Sequence, residues 1–161
     1  MPEGELVVGI AEYKTARDPA RLMAYGLGSC VGITLYDRSA KVGGLAHVML
    51  PTSRIHAEIT IPGKYADTAI EALLEALGRE GTSPKALEAK IVGGANMFNT
   101  IATQAVSIGT RNAAAAREKL REKGIPIVAE ECGGTQGRTI VFNLSDGKME
   151  IRKFERPSLW L

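Results

Sequence analysis

The sequence predicts an α+β fold in which runs of short strands flank two helices. Apolar and β-branched stretches of strand length are bounded by glycine, proline and aspartate, which is typical of strands and tight turns. Two segments carry helical signals instead. Strands and helices do not alternate regularly along the chain, so the pattern favours α+β over a repeated βαβ unit.

The first third of the chain is predicted to be mostly strands. The strand between residues 42 and 50 stops at Pro51, and a polar loop over residues 51–63 follows it. Residues 37–39 are predicted to turn the chain between two strands of a hairpin. The predicted strands of this part cover residues 6–13, 21–25, 30–36 and 42–50.

Two helices are predicted in the remainder. Residues 65–77 repeat their apolar positions at intervals of three and four, and Gly78 follows them. A second helix over residues 112–123 is expected to end at Gly124, with Pro126 as a stop signal. An Asp-Gly pair predicts a hairpin between the last two strands. The later strands are expected at residues 87–92, 127–131, 138–143 and 149–154.

The composition limits the class of protein. At 161 residues with 45% hydrophobic and 24% charged residues, residues 1–161 are expected to form one soluble domain with a sizeable core. The 20 basic and 18 acidic residues are intermixed and aromatics are 5%, which argues against nucleic-acid binding. We see no apolar run of the ~20 residues that membrane insertion requires and no secretion signal, so we expect a cytoplasmic protein.

Cysteine and histidine are scarce in this chain, and one of each suggests a catalytic pair. Cys30 follows a glycine-rich turn, and His47 lies in an apolar strand-like run. A thiol beside an imidazole forms a nucleophile with its base. The N–H groups of Gly28, Ser29 and Cys30 are candidate donors to an oxyanion, because glycine lets the backbone turn toward one point.

The predicted hairpin brings Cys30 and His47 to the same end of two strands. The midpoint of these two positions falls between Arg38 and Ser39, inside the predicted turn. An antiparallel pair with that register would set Cys30 opposite His47.

Simpler interpretations remain for each of these residues. A free cysteine is most often a small buried apolar residue, and a lone histidine is most often a core residue. Cys132 is expected to be structural, although redox chemistry with Cys132 as a resolving thiol stays open. His56 is expected in a solvated loop. Metal-binding motifs such as C-x-x-C and H-E-x-x-H are absent, and the glycine turn lacks the lysine of a phosphate-binding loop.

Five segments of the chain match the pattern of a known family. They are Leu27-Gly28-Ser29-Cys30-Val31, Ala46-His47-Val48-Met49-Leu50-Pro51, Gly63-Lys64-Tyr65-Ala66-Asp67, residues 89–98 and Ile108-Gly109-Thr110-Arg111-Asn112. With these motifs the chain resembles the CheD family of chemoreceptor glutamine deamidases over residues 8–153. The resemblance implies a three-layer β/β/α sandwich with mixed sheets, similar to the catalytic domain of the cytotoxic necrotising factor toxins. It also implies that Cys30 and His47 form a catalytic pair.

The resemblance further implies a function. Family members deamidate glutamines on the cytoplasmic helices of methyl-accepting chemoreceptors, hydrolyse receptor methyl esters and bind the CheC phosphatase, with no cofactor or metal. The family's third catalytic residue is a threonine, six residues before the cysteine, where this chain has Ala24. The Ala24 side chain cannot orient His47, but the backbone carbonyl at this position could still accept a hydrogen bond from the imidazole N–H. The alternative is a non-catalytic adaptor that binds CheC or the receptor and has a degenerate site.

Overall fold

The computed structural model describes residues 4–53, 61–97 and 107–161, which form an α+β fold and confirm the predicted class. Short 3-10 turns cover Pro62–Lys64 and Pro84–Ala86. The two α-helices are α1 (Ala66–Arg79) and α2 (Ile108–Glu122). The strands are β1 (Glu5–Val7), β2 (Tyr13–Arg17), β3 (Arg21–Leu27), β4 (Val31–Asp37), β5 (Val42–Val48), β6 (Leu87–Gly93), β7 (Ile127–Cys132), β8 (Arg138–Asn143), β9 (Met149–Arg152) and β10 (Leu159–Trp160).

The strands form two mixed sheets. The first sheet has the order β1-β3-β8-β9-β10, and the second has the order β2-β5-β4-β6-β7. Only the β1–β3 and β6–β7 pairs are parallel among these described strands, and the other neighbours are antiparallel. Both β2 and β10 were missed by the sequence analysis.

Two apolar clusters cover the two faces of the second sheet. Along β5 and β6 the side chains alternate, so Leu45 and Val92 face the first sheet while Ala46 and Ile91 face the helices. The cluster between the sheets contains Val8, Leu22, Ala24, Leu27, Tyr36, Leu45, Val92, Ile140, Phe142, Leu144, Met149 and Ile151. None of the described helices is long and apolar enough to cross a membrane.

The helix α1 agrees with its predicted range, whereas α2 starts at Ile108 rather than at residue 112. Ser107 caps α2, because its side chain accepts a hydrogen bond from the Thr110 N–H at 3.2 Å. Glycine lowers helix propensity, so Gly109 argues in the sequence against a helix at this position. In the fold a side chain does not fit here, because a Cβ at Gly109 would lie 2.4 Å from the carbonyl oxygen of Ala95.

The prediction of one strand over residues 6–13 was wrong, because β1 and β2 belong to different sheets. The chain turns between them, where the Glu12 N–H donates to the Gly9 carbonyl at 3.0 Å. The Glu12 carboxylate accepts from the Gly9 N–H at 2.9 Å, and Ala11 adopts a left-handed φ of 67°. The mostly apolar residues 6–13 therefore contain a turn at residues 9–12, and the pattern of side chains does not predict it.

The β4–β5 hairpin is confirmed, but its register differs from the prediction. His47 lies opposite Gly32 rather than opposite Cys30. The turn is centred one residue later than expected, because the Asp37 carboxylate accepts from the N–H groups of Ser39 and Ala40, both at 3.0 Å. Cys30 and His47 are thus diagonal neighbours.

Two predicted strands end earlier than expected. The strand predicted to reach residue 50 stops at Val48, because the N–H groups of Met49 and Leu50 both donate to the carbonyl of Lys64 instead of to a neighbouring strand. The last predicted strand stops at Arg152, and the Arg156 N–H then closes a turn on Lys153.

Candidate active site

The turn before Cys30 is held through its carbonyl oxygens. The carbonyl of Gly28 accepts from the Ala95 N–H at 2.8 Å, and that of Cys30 accepts from the Gly94 N–H at 2.9 Å. The carbonyl of Ser29 accepts from the Asn112 side chain at 2.9 Å. Three consecutive peptide groups are therefore fixed by separate contacts.

The amide groups of the same turn are left for another partner. Within the part of the chain that the structure describes, the N–H groups of Gly28, Ser29 and Cys30 donate to no backbone carbonyl. All three residues are partly exposed. Partly exposed N–H groups without a carbonyl partner are what an oxyanion-binding turn requires.

His47 is held by the loop that separates β1 from β2. Its backbone N–H donates to the Glu12 carbonyl at 3.0 Å, and its carbonyl accepts from the Ala11 N–H at 2.9 Å. The ring Nδ1 lies 3.2 Å from the carbonyl oxygen of Val8. A carbonyl only accepts, so Nδ1 carries the hydrogen and Nε2 presents its lone pair.

His47 and Cys30 lie on the same face of the second sheet. Both contact the space between the sheets, since Cys30 packs against the apolar cluster there and His47 occupies the same strand face as Leu45. Diagonal neighbours of this kind are about 7–8 Å apart. Nε2 is buried and has no hydrogen-bond partner among the described residues, so the lone pair is available as a base.

Burial sets the protonation of the pair. It raises the pKa of the Cys30 thiol, and the backbone N–H of the same residue opposes the shift. Burial lowers the pKa of His47, and the Val8 carbonyl and the Glu12 charge oppose that shift. Both shifts favour the neutral thiol of Cys30 and the neutral imidazole of His47.

Ala24 does not contact the imidazole through a hydrogen bond. It is fully buried in β3, opposite Ile140 of β8. The backbone acceptor that the sequence analysis placed at Ala24 lies instead at Val8, in a loop that the sequence analysis had read as a strand.

The redox alternative is disfavoured by the position of Cys132. Its side chain packs on the helix side of the second sheet, whereas Cys30 packs on the opposite side. Two strand spacings separate the two residues, about 10 Å, beyond the ~7 Å limit of a disulfide. Cys132 Sγ donates to the Ile91 carbonyl at 3.5 Å, and burial raises its pKa to about 11.

Sequence reasoning left three neighbours of the turn without a role. Gly93 and Gly94 have φ values of +116° and +66°, and a Cβ on Gly93 would lie 2.4 Å from the Cys30 carbonyl oxygen. The Met97 side chain covers Gly28, because a Cβ there would lie 3.2 Å from its Cγ. The Gly-Gly pair after an apolar strand was the available signal. His56 and Phe98 lie outside the described residues.

Among the residues that the structure describes, no three histidine, cysteine or acidic side chains are grouped closely enough to hold a metal ion. The fold and the site thus define a sheet-rich α+β protein with a cysteine on a tight turn and a histidine on the adjacent strand, on the same face of the sheet. A family model described as "CheD chemotactic sensory transduction" matches residues 49–153.

Close relatives extend the match over nearly all of the chain. A protein of Desulforamulus reducens is 47% identical over 95% of this chain and 93% of its own length. Relatives from Clostridium novyi (46% identity, 94% of each chain) and Thermococcus kodakarensis (45% identity, 92% of each chain) are equally similar. All three are named "Probable chemoreceptor glutamine deamidase CheD". The chain belongs to the CheD family.

A solved structure is also similar, although distantly. The hypothetical protein YfiH of Bacillus licheniformis has a TM-score of 0.48 and 16% identity over 74% of this chain. The chain spans about half of that protein, 49% of its length.

Proposed function

We propose that this protein deamidates glutamine side chains of methyl-accepting chemoreceptors, with Cys30 as nucleophile and His47 as base. The observation that carries the proposal is the lone pair on Nε2 of His47, which has no hydrogen-bond partner among the described residues. The Val8 carbonyl orients the ring through Nδ1, and the ring lies on the sheet face against which Cys30 also packs. The names of the relatives supply the substrate class. Action on the cytoplasmic helices of receptors requires a cytoplasmic location, which we propose as well.

The first half of the reaction forms a thioester. Cys30 Sγ attacks the carboxamide carbon while its proton passes to Nε2 of His47, and the carbonyl oxygen becomes an oxyanion. The N–H groups of the turn at Gly28 and Ser29 stabilise that charge. Nε2–H then protonates the departing nitrogen, the C–N bond breaks and ammonia leaves.

The second half hydrolyses the thioester. Nε2 takes a proton from water, the resulting hydroxide adds to the acyl carbon, and the C–S bond breaks. Glutamate is released and Cys30 regains its proton. The acid that forms loses its proton and ammonia takes one up, so the net reaction converts glutamine and water to glutamate and ammonium. The receptor gains one negative charge. No metal or cofactor is needed for either half.

Methyl esters of receptor glutamates fit the same chemistry. Thiol attack on the ester gives the same thioester with methanol as the leaving group, so Cys30 and His47 keep their roles. We further propose that the protein binds the CheC phosphatase, and that its sheets and helices form the β/β/α layering of the cytotoxic necrotising factor catalytic domain. Binding of CheC over Cys30 and His47 would compete with binding of the receptor.

The test is ammonia release from a purified receptor cytoplasmic fragment, with the modified glutamine identified by mass spectrometry. Cys30→Ser should abolish turnover, and His47→Ala should reduce it on the order of 10²–10⁴-fold, the usual contribution of general acid–base catalysis. Cys132→Ser is the matched control, since that thiol lies on the opposite face of the sheet, and it should retain wild-type turnover.

Two results would contradict the proposal. Turnover that persists in Cys30→Ser would exclude thiol catalysis. A wild-type protein that binds the fragment or CheC with no release of ammonia, and whose Cys30→Ala variant binds equally well, would establish the adaptor alternative.

A further inference from the structure

Asn112 links the two segments that carry Cys30 and His47. It lies in the first turns of α2 and is fully buried. Its Nδ2 donates two hydrogen bonds of 2.9 Å each, one to the carbonyl of Ser29 and one to the carbonyl of Met49. Ser29 directly precedes Cys30, and Met49 follows His47 by two positions.

This link lies where the β4–β5 pair ends. Val31 and Val48 are the last paired residues, and beyond them β5 turns away toward Lys64. Cys30 therefore stands just outside the ladder, which no longer fixes its distance from the strand of His47. Asn112 spans the two segments at this point, from a helix that belongs to neither strand.

A purely structural role does not account well for this residue. The Oδ1 atom of Asn112 is buried and has no hydrogen-bond partner among the described residues, which is unfavourable. An apolar side chain of similar volume would avoid that orphaned acceptor. Such a side chain could not donate hydrogen bonds to Ser29 and Met49, and these two hydrogen bonds are what joins the segments of Cys30 and His47.

We infer that Asn112 is a positioning residue that sets the separation and orientation of Cys30 and His47. It acts through the Ser29 and Met49 carbonyls and does not contact the reacting atoms. This inference rests on the proposed thiol mechanism. Loss of the link shifts the sulfur relative to Nε2, and misplacement of about 1 Å lowers the rate on the order of 10²-fold.

The experiment compares Asn112→Leu and Asn112→Ala with the wild type in the receptor deamidation assay. Asn112→Leu keeps the number and branching of the side-chain heavy atoms and removes both donors, and it should lower kcat on the order of 10²-fold with KM little changed. The matched control is Thr82→Val. It removes a buried 2.8 Å hydrogen bond to Asp37 at the far end of β4, and it should leave kcat unchanged.

A second readout does not depend on receptor turnover. The rate of Cys30 alkylation by iodoacetamide at pH 7 is measured by peptide mapping, and His47→Ala marks the rate of a thiol without its base. If Asn112 positions the pair, Asn112→Leu should alkylate at the His47→Ala rate, while Thr82→Val should keep the wild-type rate. If the wild type releases no ammonia, the proposed function fails. The alkylation rates still test the positioning role of Asn112 in that case.

Each result is decisive. Wild-type kcat and a wild-type alkylation rate in a folded Asn112→Leu would overturn the inference. Thermal melting verifies folding, and if Asn112→Leu does not fold, Asn112→Ala decides by the same criteria. Unfolding of both variants would also overturn it, because Asn112 would then serve the stability of the fold.

Discussion

Replacement of Gly93 by alanine tests whether the second glycine turn fixes the position of the nucleophile. Gly93 ends β6 with a φ of +116°, and a Cβ there would lie 2.4 Å from the Cys30 carbonyl oxygen and 3.3 Å from the Cα of Val31. Both contacts are with backbone atoms, which cannot rotate away as a side chain does. The neighbouring bond from the Gly94 N–H to the Cys30 carbonyl, 2.9 Å long, must lengthen to make room.

The size of the effect follows from two contributions. A left-handed φ on a residue with a Cβ costs roughly 1–3 kcal/mol, and forced overlap in a packed region costs another 1–3 kcal/mol. Gly93→Ala should therefore lower the free energy of unfolding by about 2–6 kcal/mol. For a chain of this size 1 kcal/mol corresponds to roughly 2–4 °C in Tm. We expect Tm to fall by about 4–24 °C and ammonia release to fall on the order of 10²-fold, as the sulfur is displaced.

Thermal melting and the ammonia assay measure both effects, with Gly78→Ala as the matched control. Gly78 lies in α1, and a Cβ there would meet no atom within 4 Å. Alanine favours a helix over glycine by roughly 0.5–1 kcal/mol, so Gly78→Ala should raise Tm slightly and leave activity unchanged. A Gly93→Ala protein that melts like the wild type and keeps its activity would refute the reasoning.

The remaining predictions concern the protonation and orientation of the pair. Since burial raises the pKa of Cys30, its alkylation rate should climb with pH to a midpoint above the ordinary pKa of a free cysteine. A rate that is already constant between pH 5 and 8 would instead reveal a thiolate–imidazolium pair. Since the Val8 carbonyl already holds Nδ1 of His47, Ala24→Thr should not raise kcat for deamidation. A large gain in kcat would show that the orientation of the ring is incomplete.

The sequence singles out the candidate pair of residues but not the contacts that hold them in place. The scarcity of cysteine and histidine singled out Cys30 and His47, and alternation along the strands is a local property that pattern reasoning captures. The acceptor at Val8 is a backbone carbonyl, and every residue has one, so no residue type marks it. The turn that holds His47 was hidden for a related reason, since Ala11 takes a left-handed φ that alanine rarely adopts.

The hairpin shows the same limit. Its existence followed from composition, but its register depended on how the Asp37 carboxylate caps the turn, a contact of side chain with backbone that residue spacing does not resolve. Asn112 was quoted as part of a motif and as the start of a helix. Its link between two distant segments becomes visible only when α2 is packed against the second sheet.

Among the described residues, the hydrogen bonds that anchor Gly28 and Ser29 are accepted by their carbonyl oxygens and none is donated by their N–H groups. At these two positions, slow hydrogen exchange is therefore not a measure of backbone rigidity. Exchange reports the breaking of hydrogen bonds made by N–H groups, and these two amides donate to no carbonyl of the described chain. Their hydrogens will exchange quickly although the backbone is fixed, a behaviour usually interpreted as disorder. In the proposed mechanism an oxyanion bound at the turn gives both amides an acceptor. Slowed exchange at these two positions is therefore a direct measure of how much of the site is occupied.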